Sequence, residues 1–288
     1  MKNSRLIKKA KTFLFLFFLF ITSYSFASLN IPTPRIISLS PNLTETIIKI
    51  GGLKYLVGKS SAGYYIKGTE DVPVAGNMGT PDPEIVLRLT PTIIVASALK
   101  NPYDVYLFNI FNIKLIVLKT NNIHEYLKTI HQLGLILNLQ QNAENVIKHL
   151  NNEIDELKGE VKKIPENERP TVFWEVWNNP LMTSGDNSFL NDYIRLAGGI
   201  PITEGIKSDF FTVSKEWLLI KNPDIIIAPF MNTEMVSGLK NQLGWKDLSA
   251  VKKNRIYTEI NPNAAYVLSP DFIKTIKKLH EIFYSNNQ

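Results

Sequence analysis

Residues 84–96 read EIVLRLTPTIIVA, and residues 216–228 read EWLLIKNPDIIIA. Each stretch opens with a glutamate on a short helical pattern, has a proline seven residues later, and ends in a β-branched run that is typical of a buried strand. Upstream of them, residues 44–52 (TETIIKIGG) and 191–199 (NDYIRLAGG) both read as helix ends closed by a glycine pair. This repetition predicts two α/β lobes of similar build, and two lobes create a cleft between them.

The first 27 residues carry the pattern of an export signal. Residues 1–11 contain five basic and no acidic residues, residues 12–22 are an apolar run, and Ser25 and Ala27 supply the small residues of a cleavage site. A retained membrane anchor is the alternative, but the apolar run is shorter than the ~20 residues that a spanning helix needs. We therefore expect a signal peptide at 1–27 and a soluble protein of the periplasm.

Composition narrows the classes of function. The chain has 32 basic and 26 acidic residues; without the five basic residues of the signal the two signs nearly balance, which gives no indication of a nucleic-acid partner. It has no cysteine, which excludes disulfides, thiolate metal sites and a lipid-bearing cysteine. It contains no Gly-x-Ser-x-Gly, Walker or His-Glu-x-x-His motif. We expect no catalytic residue and no catalytic cofactor, and an exported enzyme is the disfavoured rival class.

Strands alternate with helical patterns on both sides of one long helix. The predicted strands are residues 35–39, 55–58, 92–98 and 114–118, then 171–176, 224–228 and 255–259. Apolar residues at steps of three and four from Leu139 to Ile164 predict a connector of about 24 residues, roughly 36 Å long, that Pro165 stops. The sequence thus predicts an N-terminal lobe (28–138), a connector helix (139–165) and a C-terminal lobe (166–288), with largely parallel sheets and a terminal helix that begins at Ser269-Pro270.

Three motifs resemble one family of transport proteins. Residues 35–45 (RIISLSPNLTE) are similar to the start of the mature periplasmic cobalamin-binding proteins of ABC importers, and residues 175–185 (EVWNNPLMTSG) and 213–216 (VSKE) resemble their second-lobe motifs. The resemblance extends over residues 34–284. It implies a helical-backbone solute-binding protein, from the family that delivers cobalamin, haem, ferric siderophores or metal ions.

This resemblance also implies a ligand and partners. We expect the chain to capture cobalamin or a related corrinoid between its lobes and to deliver it, as a monomer, to an ABC permease dimer with its ATPase subunits. Haem or a ferric siderophore is the alternative ligand.

Loops at the strand ends should line the cleft, as the switch-point rule for open α/β sheets predicts. Aromatic faces there would give broad apolar contact to a flat macrocycle. The candidate ligand-binding residues are Tyr64, Tyr65, Asn77, Met78, Trp177, Asn178, Phe210, Phe211, Asn261 and Tyr266. We expect Trp174, inside a strand, in the core, and Trp177, in a predicted turn at residues 177–180, in the cleft.

Glu84 and Glu216 hold equivalent places in the repeat. The resemblance implies that each is exposed on its lobe and pairs with an arginine of the permease. An acid in the first helical turn also complements the helix dipole, by roughly 0.3–1 kcal/mol. That structural role explains an acid at each place, but it does not explain the recurrence in matched surroundings.

The four histidines do not show the spacing of a metal site. His124 and His131 lie about 10.5 Å apart along a predicted helix, too far to share one ion. His149 and His280 fall on the connector and on the terminal helix. If the ligand is haem, tyrosine is the expected axial ligand, and the candidates are Tyr64, Tyr65 and Tyr266.

Overall fold

The first half of the chain builds a four-stranded parallel sheet. A computed structural model describes residues 33–263 and 267–284; the predicted signal peptide, residues 1–27, lies outside them. The strands of this half are β1 (Ile36–Ser38), β2 (Leu56–Lys59), β3 (Gly76–Asn77), β4 (Thr80–Pro81), β5 (Ile93–Ala96) and β6 (Lys114–Val117). Its helices are α1 (Pro41–Lys49), α2 (Pro83–Leu89), α3 (Asp104–Ile110) and α4 (Ile123–Leu137). The sheet has the order β2-β1-β5-β6.

One helix, α5 (Gln140–Val161), joins the two halves of the chain. It has 22 residues and ends before the predicted Ile164, because the chain tightens into a turn in which the Lys163 N–H donates to the Glu160 carbonyl at 3.0 Å. Its buried face packs against α4, from which only Asn138 and Leu139 separate it. The predicted single connector is therefore one arm of a helical hairpin.

The second half repeats the plan of the first. Its strands are β7 (Thr171–Trp174), β8 (Trp177–Asn178), β9 (Leu181–Ser184), β10 (Ile200–Pro201), β11 (Phe210–Thr212), β12 (Ile225–Ile227) and β13 (Ile256–Tyr257). Its helices are α6 (Phe189–Leu196), α7 (Lys215–Lys221), α8 (Thr233–Leu239), α9 (Ser249–Lys252) and α10 (Phe272–Tyr284). The main sheet has the order β10-β7-β12-β13 and is parallel throughout. Numbered by chain order within each sheet, the strands of both sheets have the order 2-1-3-4. This shared topology confirms the prediction of two similar α/β lobes.

The repeated segment has matched backbone geometry in the two lobes. Asp82 caps α2 by accepting from the Ile85 N–H, and Ser214 caps α7 by accepting from the Trp217 N–H, both at 3.1 Å. Each helix ends at a residue in the left-handed region, with φ of 47° at Thr90 and 43° at Asn222, directly before a proline. The strand that follows lies third in its sheet in both cases.

One apolar core runs through both lobes. It includes Ile36 of β1 and Trp174 of β7, and the 1% exposure of Trp174 confirms its predicted place in the core. Phe272 of α10 joins the halves, because its ring packs on Tyr126 and on Tyr193, with ring centroids 6.2 Å apart in both pairs.

The start of the terminal helix differs from the prediction. Helix α10 begins at Phe272 and not at Ser269-Pro270, since the chain first closes a turn in which the Phe272 N–H donates to the Ser269 carbonyl. No helix within 33–263 or 267–284 is long and apolar enough to cross a membrane.

Candidate functional site

Two adjoining pockets lie between the lobes. The larger has a volume of about 630 Å³ and is bordered by α1, by the loop after β2 and by the chain that follows β13. The smaller, of about 110 Å³, is bordered by the loops after β5 and β6 and by the chain that leads into β11. Val267 lines both pockets, so they are neighbouring parts of one interlobe cleft.

The larger pocket brings together two of the predicted residues, Tyr65 and Asn261, from opposite lobes. Burial, and secondly the charge of Glu45, raise the pKa of Tyr65 to about 12, which makes its phenol harder to deprotonate. Burial, and then the charge of Asp271, also raise the pKa of Glu45. The charged residues of the lining nearly balance in sign: Lys49, Lys67, Lys274 and Lys278 against Glu45, Glu259 and Asp271.

The smaller pocket brings together two further predicted residues, Met78 from the N-terminal lobe and Phe210 from the C-terminal lobe. A polar contact crosses it, because the Asn121 side-chain amide donates to Asp209 at 3.4 Å. The sequence analysis missed Asn121 and Asp209. Asn121 follows strand β6 within a few residues, so the switch-point rule could have found it.

The loop after β2 carries Tyr64 and Tyr65 edge to face, with ring centroids 5.6 Å apart. Tyr64 is 83% exposed and Tyr65 is half-buried. The Ser61 hydroxyl of the same loop hydrogen-bonds to Asn77, which is exposed beside Met78. Neither Tyr64 nor Asn77 lines one of the two pockets. The remaining predicted tyrosine, Tyr266, lies outside the described residues.

A three-stranded antiparallel sheet presents the aromatic residues of the C-terminal lobe. Trp177 and Asn178 form strand β8 of this sheet, and not the first half of a turn as predicted, because they pair with Met182 and Leu181 of β9. The turn itself is Asn179-Pro180, whose Asn179 carbonyl accepts from the Trp177 indole N–H at 2.9 Å.

The register of this sheet decides which side chains share a face. Trp177 lies opposite Met182, and Phe210 lies opposite Ser184, so Trp177 and Phe210 are on one face by the two-residue period of a strand. Phe211 and Asn178 are on the other face. Trp177, Asn178 and Phe211 do not line either pocket, and their part in binding stays a prediction.

Glu175 is a buried carboxyl at the carboxyl end of β7 that the sequence analysis missed. It is 3% exposed, and its Oε2 has no hydrogen-bond partner among the described residues. Burial raises its pKa from 4.5 to about 7. A charged residue inside the predicted strand 171–176 is the signal that could have identified it.

Glu84 and Glu216 are exposed at the second position of α2 and α7, outside both pockets. Hydrogen bonds from its own backbone N–H and from the Ser214 hydroxyl hold the pKa of Glu216 below its ordinary value. The two carboxylates therefore occupy equivalent, solvent-facing places on the two lobes.

The histidines lie on helices, and His149 lines a further pocket of about 380 Å³ that shares Lys49, Pro270, Asp271 and Lys274 with the larger interlobe pocket. His124 and His131 are on α4, His149 is on α5 and His280 is on α10, and none of the four lines either of the two interlobe pockets. Across the part of the chain that the structure describes, no three His, Cys, Asp or Glu side chains are grouped so that they could hold a metal ion.

Comparisons with known proteins place this architecture in a family. The high-affinity heme uptake system protein IsdE of Staphylococcus aureus is 25% identical over 262 residues, which are 88% of each chain. The structure is similar to an ABC transporter substrate-binding protein of Listeria monocytogenes (TM-score 0.77, 26% identity, 88% of this chain and 100% of that one). It also resembles in fold the vitamin B12 binding protein BtuF of Vibrio cholerae (TM-score 0.72, 20% identity, 89% and 99% of the two chains). The family described as periplasmic binding protein matches residues 36–259, and the chain belongs to this family.

Proposed function

We propose that the protein is the exported substrate-binding component of an ABC importer and that it captures cobalamin or a related corrinoid between its lobes. The observation that carries this proposal is the interlobe cleft, whose larger pocket of about 630 Å³ is lined by Tyr65 and Asn261 from opposite lobes. A pocket of this size encloses a drug-sized molecule, so the two lobes would hold a larger macrocycle from two sides and leave part of it in solvent.

The chemistry of the lining favours a neutral macrocycle with polar edges. The phenol of Tyr65, and the ring of Phe210 in the neighbouring pocket, offer apolar faces. Asn261 and Asn263 offer amides that can both donate to and accept from the amide groups at a corrin periphery. Because four lysines face three carboxylates in the larger pocket, the lining lacks the strong positive charge that a polyanionic ferric siderophore would need.

Haem is the second candidate ligand. Lys67, Lys274 and Lys278 could pair with its propionates, and the relative IsdE is named as a heme uptake protein. Of the predicted axial tyrosines, Tyr65 lines the cleft; a tyrosine binds ferric iron after losing its proton, and the raised pKa of Tyr65 makes that loss more costly. Met78 is a second potential iron ligand in the cleft.

Delivery would use the two exposed glutamates. Glu84 and Glu216 lie at matched helix starts on the two lobes, as docking points on a permease of two equivalent subunits require. Both lie outside the pockets, so docking would not compete with ligand for the same side chains. The family description and the basic-apolar segment at residues 1–27 support a periplasmic location.

Calorimetry on refolded, ligand-free protein tests the proposal. Cyanocobalamin, dicyanocobinamide, haemin and a ferric siderophore are titrated separately, and absorption spectra check that each complex contains the intact ligand. The proposal predicts one corrinoid per protein. Tight haemin binding without corrinoid binding would show that the ligand is haem and not a corrinoid. If none of the four compounds binds, the proposal of transport for this class of ligand is rejected.

A further inference from the structure

Lys59, the last residue of β2, has its side chain inside the N-terminal lobe. It is 5% exposed, and its ammonium donates to the Thr69 carbonyl at 2.6 Å and to the Thr69 hydroxyl at 2.8 Å. Within the described residues no carboxylate forms an ion pair with it at 4.0 Å or less. A buried charge is costly unless hydrogen bonds satisfy it, so the position of Thr69 is tied to this ammonium.

The loop after β2 is folded around this lysine. The Thr69 hydroxyl accepts from Lys59 and donates to the Ile66 carbonyl at 2.7 Å. The backbone of Lys59 holds the far end of the same loop, because its N–H donates to the Pro73 carbonyl at 2.9 Å and its carbonyl accepts from the Ala75 N–H at 2.8 Å. The side chain of Lys59 thus holds the middle of residues 60–75 at Thr69, and its backbone holds the end of this loop at Pro73 and Ala75.

The middle of this loop, which Lys59 holds through Thr69, lines the cleft. Tyr65, Ile66 and Lys67 line the larger pocket, and the Ile66 N–H closes a turn on the Gly63 carbonyl at 3.2 Å. The path from the ammonium to the pocket therefore has two steps, from Lys59 to the Thr69 hydroxyl and from there to the Ile66 backbone.

We propose that Lys59 is a positioning residue of the cleft, whose ammonium orders residues 60–75 through Thr69 and thereby holds Tyr65 in place against the ligand. The effect on ligand rests on the proposed function, whereas the ordering of the loop does not. Lys59 itself lines neither pocket, so it acts through the loop and not by contact with the ligand.

Four variants test this proposal. Lys59→Met keeps the length of the side chain and removes the charge, Thr69→Val removes the hydroxyl, and Thr69→Ser keeps it. Lys114→Met, at an exposed position of β6, is the matched control for losing a lysine. Hydrogen exchange of residues 60–75 in the ligand-free protein, the melting temperature, and the affinity for dicyanocobinamide and for haemin are measured for each.

We expect Lys59→Met to speed exchange in residues 60–75 and to weaken binding about tenfold, the scale of losing hydrogen bonds to a charged group. Thr69→Val should show a smaller change in both measurements, and Thr69→Ser and Lys114→Met should match the unsubstituted protein. Unchanged loop exchange in Lys59→Met would overturn the positioning role, and so would a loosened loop with unchanged affinity. If the unsubstituted protein binds neither probe, the proposed function fails, while the exchange data still decide whether Lys59 orders the loop.

Discussion

Asp192 of one lobe caps a helix of the other. Its Oδ2 accepts from the N–H of Ile123, the first residue of α4, at 3.1 Å. Next to it the Phe189 N–H donates to the Asn121 carbonyl at 2.6 Å. Since the first N–H groups of a helix have no partner inside the helix, a side chain of the C-terminal lobe here satisfies a helix start of the N-terminal lobe. Together with the shared apolar core this contact favours small movements between the lobes.

Removing this contact should weaken the fold measurably. Asp192→Ala leaves the Ile123 N–H without its acceptor, and we expect the free energy of unfolding to fall by about 1–2 kcal/mol. Asp155→Ala, which removes an exposed carboxylate 3.6 Å from Lys158 on α5, should cost less than about 0.5 kcal/mol. Urea denaturation measures both; equal losses in the two variants would contradict the capping role of Asp192.

Glu175 should make stability depend on pH. Its pKa is raised from 4.5 to about 7 by burial, so the folded protein favours the protonated form. The contribution of protonated Glu175 to the free energy of unfolding is fully present below pH 4.5, and it is lost as the pH rises through 7. A shift of this size corresponds to about 3 kcal/mol.

Glu175→Gln tests this pH dependence, since glutamine keeps the shape and cannot ionise. We expect the variant to lose less unfolding free energy than the unsubstituted protein between about pH 5 and pH 8. Glu144→Gln, at an exposed position of α5, is the control and should leave the pH profile unchanged. Parallel profiles for Glu175→Gln and the unsubstituted protein would show that the buried carboxyl does not titrate in this range.

The two neighbouring tryptophans should separate stability from binding. Trp174→Ala empties a core position and should cost about 3–5 kcal/mol of unfolding free energy. Trp177 is half-exposed, so Trp177→Ala should leave the melting temperature of the ligand-free protein nearly unchanged and weaken ligand binding by roughly 1–3 kcal/mol. Unfolding measurements give the stability of each variant and titration calorimetry gives its affinity. Lower stability with unchanged affinity in Trp177→Ala would show that Trp177 is a structural residue and not a binding residue.

Glu84 and Glu216 should affect delivery and not capture. Alanine at either position should leave ligand affinity unchanged and reduce permease-stimulated ATP hydrolysis, with the double variant most affected. If an ion pair becomes desolvated on docking, the loss of one partner can weaken the free energy of docking by roughly 2–5 kcal/mol. Glu234→Ala, another exposed acid in a first helical turn, is the matched control. Normal transport by a stable double variant would show that both glutamates serve only to stabilise the starts of their helices.

The repeated units could be predicted from sequence because their determinants are local. A proline ends α2 and α7 at the same distance from each glutamate, and Gly51 and Gly198 adopt the positive φ, 83° and 90°, that their helix ends require. The alternation of helices and β-branched runs then gives two parallel sheets.

The cleft was less predictable because its contacts join distant parts of the chain. Asn121 and Asp209 meet although they are 88 positions apart in the chain, and the 3% exposure of Glu175 is a result of tertiary packing. Phe210 and Phe211 are adjacent in β11 and therefore point to opposite faces, but the register of β11 on β9 decides which of them shares a face with Trp177. Local patterns carry no information on that register.

Hydrogen exchange of the unsubstituted protein with and without dicyanocobinamide tests the central claim most directly, because it locates the ligand on the chain. The account predicts slower exchange on both sides of the cleft at once: residues 60–67 and 77–79 of the N-terminal lobe, and residues 208–211 and 259–263 of the C-terminal lobe. Protection confined to one lobe, or protection away from the cleft, would contradict capture of a corrinoid between the lobes.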